Sequence, residues 1–346
     1  MTQPQPTDPT PGPASDTPER DVTTGARLAG SVGASSDGEA TESTLTVVIA
    51  FAANAVIAVA KSFAAVLTGS ASMMAEAVHS WADTGNEVFL LIADKRARRP
   101  ASPQHPLGHG REAYVWSMFA AIGLFAIGAG VSITHGIQEL VHPEPADDYG
   151  IAYAVLGFAF LLEGFSFLQA VKQSRAEARA GERELLSHVL RTSDPTVRAV
   201  FAEDAAALVG LLVAFVGVGL HQITGSPVPD AIGSIVVGLV LGVVAVILID
   251  RNRRFLVGEG VEPRTRVLVL QRILECDGVV RVTYLRIEFV GPRSLYVVAA
   301  VDLEGDDAES DVGRRLAVIE RGLAAEQVVA GAVLTVSAPE DASLSA

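Results

Sequence analysis

Residues 228–249 read VPDAIGSIVVGLVLGVVAVILI, 22 positions whose only charged residue is Asp230, and Arg251, Arg253 and Arg254 follow directly. A bilayer core takes about 20 apolar residues as helix, so this run is long enough to cross it. A basic cluster at the end of such a run marks the side that stays in the cytoplasm. Working outward, five more stretches meet the same demand: residues 44–67, 71–93, 114–140, 151–171 and 196–220. The links at 68–70, 141–150 and 221–227 hold no Lys or Arg. The links on the other side hold Lys95, Arg96, Arg98, Arg99 and Arg111, then Lys172, Arg175, Arg179, Arg183 and Arg191. This asymmetry predicts six transmembrane helices over 44–255 with both termini in the cytoplasm.

Composition shifts on either side of the spans. Residues 1–43 are rich in Pro, Thr, Ser, Asp and Gly without a sustained apolar run, which predicts a disordered cytoplasmic tail. After the last span, 262–275 reads as an amphipathic helix. Residues 279–290 and 295–303 alternate apolar and polar side chains about a Gly291-Pro292 turn. Residues 308–325 are helical again and 332–336 form a short strand. Helix-strand-strand-helix-strand predicts a small α+β cytoplasmic domain over 256–340, with its helices on one face of a sheet.

The single Cys276 excludes an intrachain disulfide and a cysteine-cluster metal site. Any metal must be held by imidazole and carboxylate. A net charge of −14 argues against a nucleic-acid partner. Arg outnumbers Lys by 23 to 3, a balance that suits a bacterial protein and so a bacterial plasma membrane, with an organelle membrane as the alternative.

Ionisable groups inside apolar spans are costly and therefore point to function. The second span carries Glu76, His79, Asp83 and Glu87 at steps of three, four and four, which puts them on one helical face. Such a face must look toward partners or water rather than lipid. The fifth span carries Glu203 and Asp204, followed by small residues that permit close helix approach. Asp83 and Asp204 lie about 15 Å and 13 Å from the cytoplasmic ends of their spans, at matching depth. A buried imidazole among carboxylates suits Zn²⁺, Co²⁺ or Fe²⁺ better than Ca²⁺ or Mg²⁺, which prefer oxygen alone. Its ligands must be deprotonated, so metal and protons compete for them, and that competition offers a route to proton-coupled export. Lys61 reads as a buried partner of Glu76 or Glu163, and with Asn86 and Glu87 it belongs to a supporting polar network.

These residues resemble the cation diffusion facilitator family of divalent metal/proton antiporters. The carriers of the likeness are His79-x-x-x-Asp83, Asp204, and the run Asn54, Lys61, Thr68-Gly-Ser-x-Ser-Met, Glu76, His79-Ser-x-Ala-Asp83-Thr-x-Asn86. With Leu162-Glu163-Gly164 and Glu203-Asp204, that run is most similar to the zinc-transporter-nine-like branch. The resemblance implies Zn²⁺ as the exported substrate, with Co²⁺, Fe²⁺ and Mn²⁺ as further candidates and no organic cofactor. It also implies a homodimer, a metal site of His79, Asp83 and Asp204 between the second and fifth spans, to which Glu203 is added as a candidate, and a ferredoxin-like cytoplasmic domain.

This sequence departs from the family pattern in places. The family's second ligand on the fifth span falls at Val200, which has no donor atom, and Glu203 is the nearest substitute although it sits about 100° around the helix from Asp204. His105 and His109 match the histidines of a cytoplasmic loop metal relay, but Ser102 stands where its acid belongs. All seven histidines lie at or before His221, so the terminal domain has none for a zinc pair. An intramembrane metal enzyme is the competing reading, and it lacks the HExxH motif such hydrolases carry. A non-transporting metal sensor or scaffold is a third, and it lacks an appended signalling or DNA-binding module. The sequence therefore reads as a transporter and not an enzyme.

Overall fold

The computed structural model describes residues 20–32, 44–143 and 148–345. The helices of its bundle are α2 (Thr44–Thr68), α3 (Ala71–Ala97), α4 (Glu112–Gly123), α5 (Gly130–Val141), α6 (Tyr149–Ala180), α8 (Pro195–Thr224) and α9 (Val228–Val257). A π-helical stretch, Leu124–Ala129, joins α4 to α5, so Glu112–Val141 runs as one 30-residue helical rod. Four rods among the described residues are long and apolar enough to cross a bilayer: Glu112–Val141, α6, α8 and α9. Helix α2 contributes a shorter apolar stretch, Asn54–Thr68. Helix α3 is 27 residues long, and the acids and His79 of its polar stripe lower its hydropathy.

Small residues set the helix spacing. Gly136 lies against the Ala231 carbonyl and Gly238 against the Ala129 carbonyl, where an added Cβ would come within 2.7 Å and 3.0 Å of those carbonyl oxygens. Only a glycine admits that approach of α5 and the π stretch to α9. The outer faces remain apolar: Leu161, Phe165 and Leu168 on α6 and Val243 and Val246 on α9 are all more than half exposed. Large apolar side chains exposed in this number suit a lipid-facing surface rather than a water-facing one.

The starts of α3 and α8 are fixed by side-chain caps. Ser70 caps α3 by accepting from Met73 N, and Asp230 Oδ2 on α9 accepts from Ala71 N at 2.8 Å, which pins the two helices together. Asp194 caps α8 by accepting from Thr196 N at 2.9 Å, with Pro195 at the first turn.

The terminal domain comprises α10 (Pro263–Leu274), β1 (Val279–Gly291), β2 (Ser294–Leu303), α11 (Glu309–Ala324) and β3 (Val329–Val336). The sheet order is β1-β2-β3, with β1/β2 antiparallel and β2/β3 parallel. Ile273, Leu295, Ala299 and Val301 form the centre of its core. Its tight β1–β2 turn holds Arg293 at φ 54. That hairpin reaches the bundle, where Arg293 pairs with Glu177 at 3.2 Å and with Asp194 at 3.3 Å. Helix α7 (Leu185–Arg191) adds His188, buried and 3.2 Å from the same Glu177.

Residues 20–32 differ from the disordered tail expected over 1–43. They form helix α1 (Arg20–Val32), whose Leu28 and Val32, one turn apart, enter the core of the terminal domain. Thr24 Oγ1 donates to Glu275 at 2.8 Å, and Arg183 donates to the Ser31 carbonyl at 2.8 Å. A short amphipathic segment inside a polar, Pro-rich stretch is masked by the average composition around it. Residues 1–19 and 33–43 of that expected tail lie outside the described residues.

Candidate metal site

Helices α3, α6 and α8 meet around a cavity of about 100 Å³. Asp83 and Glu87 line it from α3, Glu163 and Ser166 from α6, and Val200, Glu203 and Asp204 from α8; Asn54 closes one side from α2. Five carboxylates thus face one small space. The neighbours of the two α8 acids explain how residues about 100° apart on one helix share it. Glu203 turns toward α3, where its Oε1 accepts a short hydrogen bond from the Asn86 amide. Asp204 turns toward α6, where its Oδ2 accepts from Ser166 Oγ at 2.9 Å. The cavity is the wedge between them.

His79 stands behind this wall rather than on it. It is 1% exposed, and its Nε2 lies 3.0 Å from Asp83 Oδ2, close enough for an ion pair but outside hydrogen-bond geometry. Neither of its ring nitrogens has a hydrogen-bond partner, nor has Asp83 Oδ1. Buried polar atoms left this way are costly, which makes them candidates for a ligand. Among the described residues, no three His, Cys, Asp or Glu side chains stand close enough to hold one metal ion. The donors therefore surround a space without forming a closed cage.

The supporting residues fall into two groups. Lys61 Nζ donates to Glu76 Oε2 at 3.1 Å and lies 3.7 Å from Glu163 Oε1, so one ammonium serves the two acids between which the sequence left the choice open. Asn54 donates to Glu87 Oε1 at 2.8 Å. The loop histidines lie apart from the cavity. Their rings are 4.2 Å apart, and His109 Nδ1 is 3.1 Å from Glu112 Oε1 at the start of α4. The acid missing at Ser102 is thus matched by one three residues after His109. Sequence reasoning did not single out Glu112 or Ser166. The signal for Ser166 was its position three residues after Glu163, on the same face of α6.

The sequence profile of the cation efflux transmembrane domain matches residues 47–257, more than half of the chain. The chain belongs to the cation diffusion facilitator family. It is 36% identical over 260 residues to the mitochondrial proton-coupled zinc antiporter SLC30A9 of Xenopus laevis, covering 75% of this chain and 46% of that protein. It is 38% identical over 234 residues to metal tolerance protein C4 of Arabidopsis thaliana, covering 67% and 51%. The match to an uncharacterised transporter of Methanocaldococcus jannaschii is 25% identical over 279 residues, or 79% of this chain and 93% of that one. The chain spans about half the length of the first two relatives. These likenesses place this cation diffusion facilitator in the zinc-transporter-nine-like branch, as an integral membrane protein related to transporters and not to enzymes.

Proposed function

We propose that this protein exports divalent transition-metal cations, Zn²⁺ first, from the cytoplasm in exchange for protons. The carrying observation is the convergence of Asp83, Glu203 and Asp204 on one cavity, with the unbonded imidazole of His79 directly behind Asp83. An entering cation draws His79, Asp83 and Asp204 inward, with Glu203 as the nearest further donor. Imidazole with carboxylate is a donor set for Zn²⁺, and it also accepts Co²⁺, Fe²⁺ and Mn²⁺. Because each of these groups binds metal only when deprotonated, protons arriving from the far side displace the ion.

In this reading α2, α3, the rod Glu112–Val141, α6, α8 and α9 make six spans. Both termini lie in the cytoplasm, as the basic links require. The αββαβ order with parallel β2 and β3 is what a ferredoxin-like βαββαβ unit leaves when its first strand is absent. His105, His109 and Glu112 form a cytoplasmic relay that hands metal toward the cavity. The protein works as a homodimer in a bacterial plasma membrane, a membrane that the Arg-rich composition suits.

The test is metal flux in proteoliposomes under an imposed pH gradient. Zn²⁺ uptake that rises with the opposing proton gradient is expected. Folded protein that moves none of Zn²⁺, Co²⁺, Fe²⁺ or Mn²⁺ would end this reading.

A further inference from the structure

Helix α6 turns a polar face onto the cavity. Glu163 and Ser166 are three residues apart, both line the space, and Ser166 ties α6 to Asp204. One turn before Asp204 on α8, Val200 lines the same cavity with an aliphatic side chain that offers nothing to a cation. The two carboxylates that share Lys61 differ in their hold on it. Glu76 is fully buried and hydrogen-bonded at 3.1 Å, whereas Glu163 is 13% exposed and sits 3.7 Å away. Among the described residues, no donor hydrogen-bonds to Glu163. It is the looser partner and the one that reaches the cavity.

We propose that Glu163 supplies the donor that Val200 cannot, and that Lys61 holds Glu163 in place when no cation is present. This rests on the export reading above and adds a residue that determines which cations bind. With the cavity empty, the Lys61 ammonium lies between Glu76 and Glu163. When a divalent cation enters, Glu163 turns to it and Lys61 keeps Glu76. Neither Glu76 nor Glu163 is left without a positive neighbour in either state, which is the condition a low-dielectric interior favours. The unbonded His79 nitrogens beside Asp83 complete a set of one imidazole and carboxylates from three helices. A carboxylate contributed from α6 adds a hard oxygen, which extends acceptance toward Mn²⁺ and Fe²⁺ while retaining Zn²⁺.

The experiment is a Co²⁺ titration of the full chain in lipid nanodiscs, followed by visible absorption, which reports the ligands around the metal. Wild type, Asp83→Ala, Glu163→Gln and Glu163→Asp are compared, with thermal unfolding of each as a control. Wild type is expected to bind and Asp83→Ala to lose binding. If the two bind alike, the cavity is not the cation site, and both the export site and this inference fall. With that arm as expected, Glu163→Gln should weaken Co²⁺ by roughly 10- to 100-fold and shift the spectrum of the bound ion. Glu163→Asp keeps the charge beside Lys61 and should bind with intermediate affinity and an altered spectrum, which keeps the test available if Glu163→Gln misfolds. Affinity and spectrum unchanged from wild type overturn the inference while leaving the site standing. A lowered unfolding temperature with an unchanged spectrum also overturns it, because that is the mark of a purely structural pair.

Discussion

Ser166 on α6 donates its hydroxyl proton to Oδ2 of Asp204 on α8 at 2.9 Å, and this bond holds one carboxylate oxygen of the proposed site in a fixed direction. Hydrogen bonds from such outer partners orient ligands, and their loss costs metal affinity. Ser166→Ala should raise the Zn²⁺ dissociation constant by roughly tenfold with the fold intact. Asp204→Asn should remove both binding and flux. Isothermal titration in nanodiscs reads both. Wild-type affinity in Asp204→Asn would place the cation elsewhere.

Glu203 is held differently, by the Asn86 amide on α3. If it is a donor, Glu203→Ala should weaken Zn²⁺ binding at least as much as Ser166→Ala does, and Asn86→Ala should weaken it less. Unchanged affinity in Glu203→Ala would remove that residue from the donor set and leave it a bystander on the cavity wall.

Much of this was legible because charge inside an apolar span is conspicuous. Glu76, His79, Asp83 and Glu87 announced one polar face of α3, and the depth of Asp204 matched that of Asp83. Less was legible where the meaning of a residue depends on a partner far away in the chain. Glu112 carries no signal of its own in the sequence, and only the folded loop brings His109 against it. His188 lies in a link between spans, where sequence alone gives it no partner, and it is buried against Glu177, which also binds Arg293 from the terminal domain, 116 positions away. Helix α1 was hidden because two apolar residues in a Pro- and Ser-rich stretch do not raise its average hydropathy. The bounds of the terminal elements were easier: the alternation in β1 and β2 is local, and a two-period needs no distant partner.

The Lys61–Glu76 pair gives a stability prediction of known sign. Both side chains are essentially buried, and Glu76 Oε1 already lacks a hydrogen bond. Lys61→Met removes the ammonium and leaves the charge of Glu76, and that of the more distant Glu163, uncompensated, a change that costs about 3–5 kcal/mol in buried pairs. The double variant Lys61→Met/Glu76→Gln removes both charges and should recover much of that loss. Denaturant unfolding in mild detergent, analysed as a double-mutant cycle, measures the coupling. Additive effects of the two single changes would mean that the pair is not coupled.

The β1–β2 hairpin is the contact through which the terminal domain can act on the helix that carries Glu203 and Asp204. Arg293 reaches Asp194, the N-cap of α8, and its backbone N–H donates to Ser193 Oγ at 2.9 Å. Beside it, Gly291 lies so close to Gly110 that a Cβ on Gly110 would come within 2.7 Å of Gly291 Cα and the Val290 carbonyl. No side chain fits there without the hairpin moving away. Gly110→Ala and Arg293→Ala should therefore loosen the same contact by different means, one by steric push and the other by loss of ion pairs. Both should speed hydrogen exchange at 289–294 and lower flux several-fold, while the Zn²⁺ dissociation constant stays near that of wild type because the cavity is untouched. If exchange at the hairpin rises in both variants and flux does not change, the hairpin contact is a structural seam, and the metal site operates independently of the terminal domain.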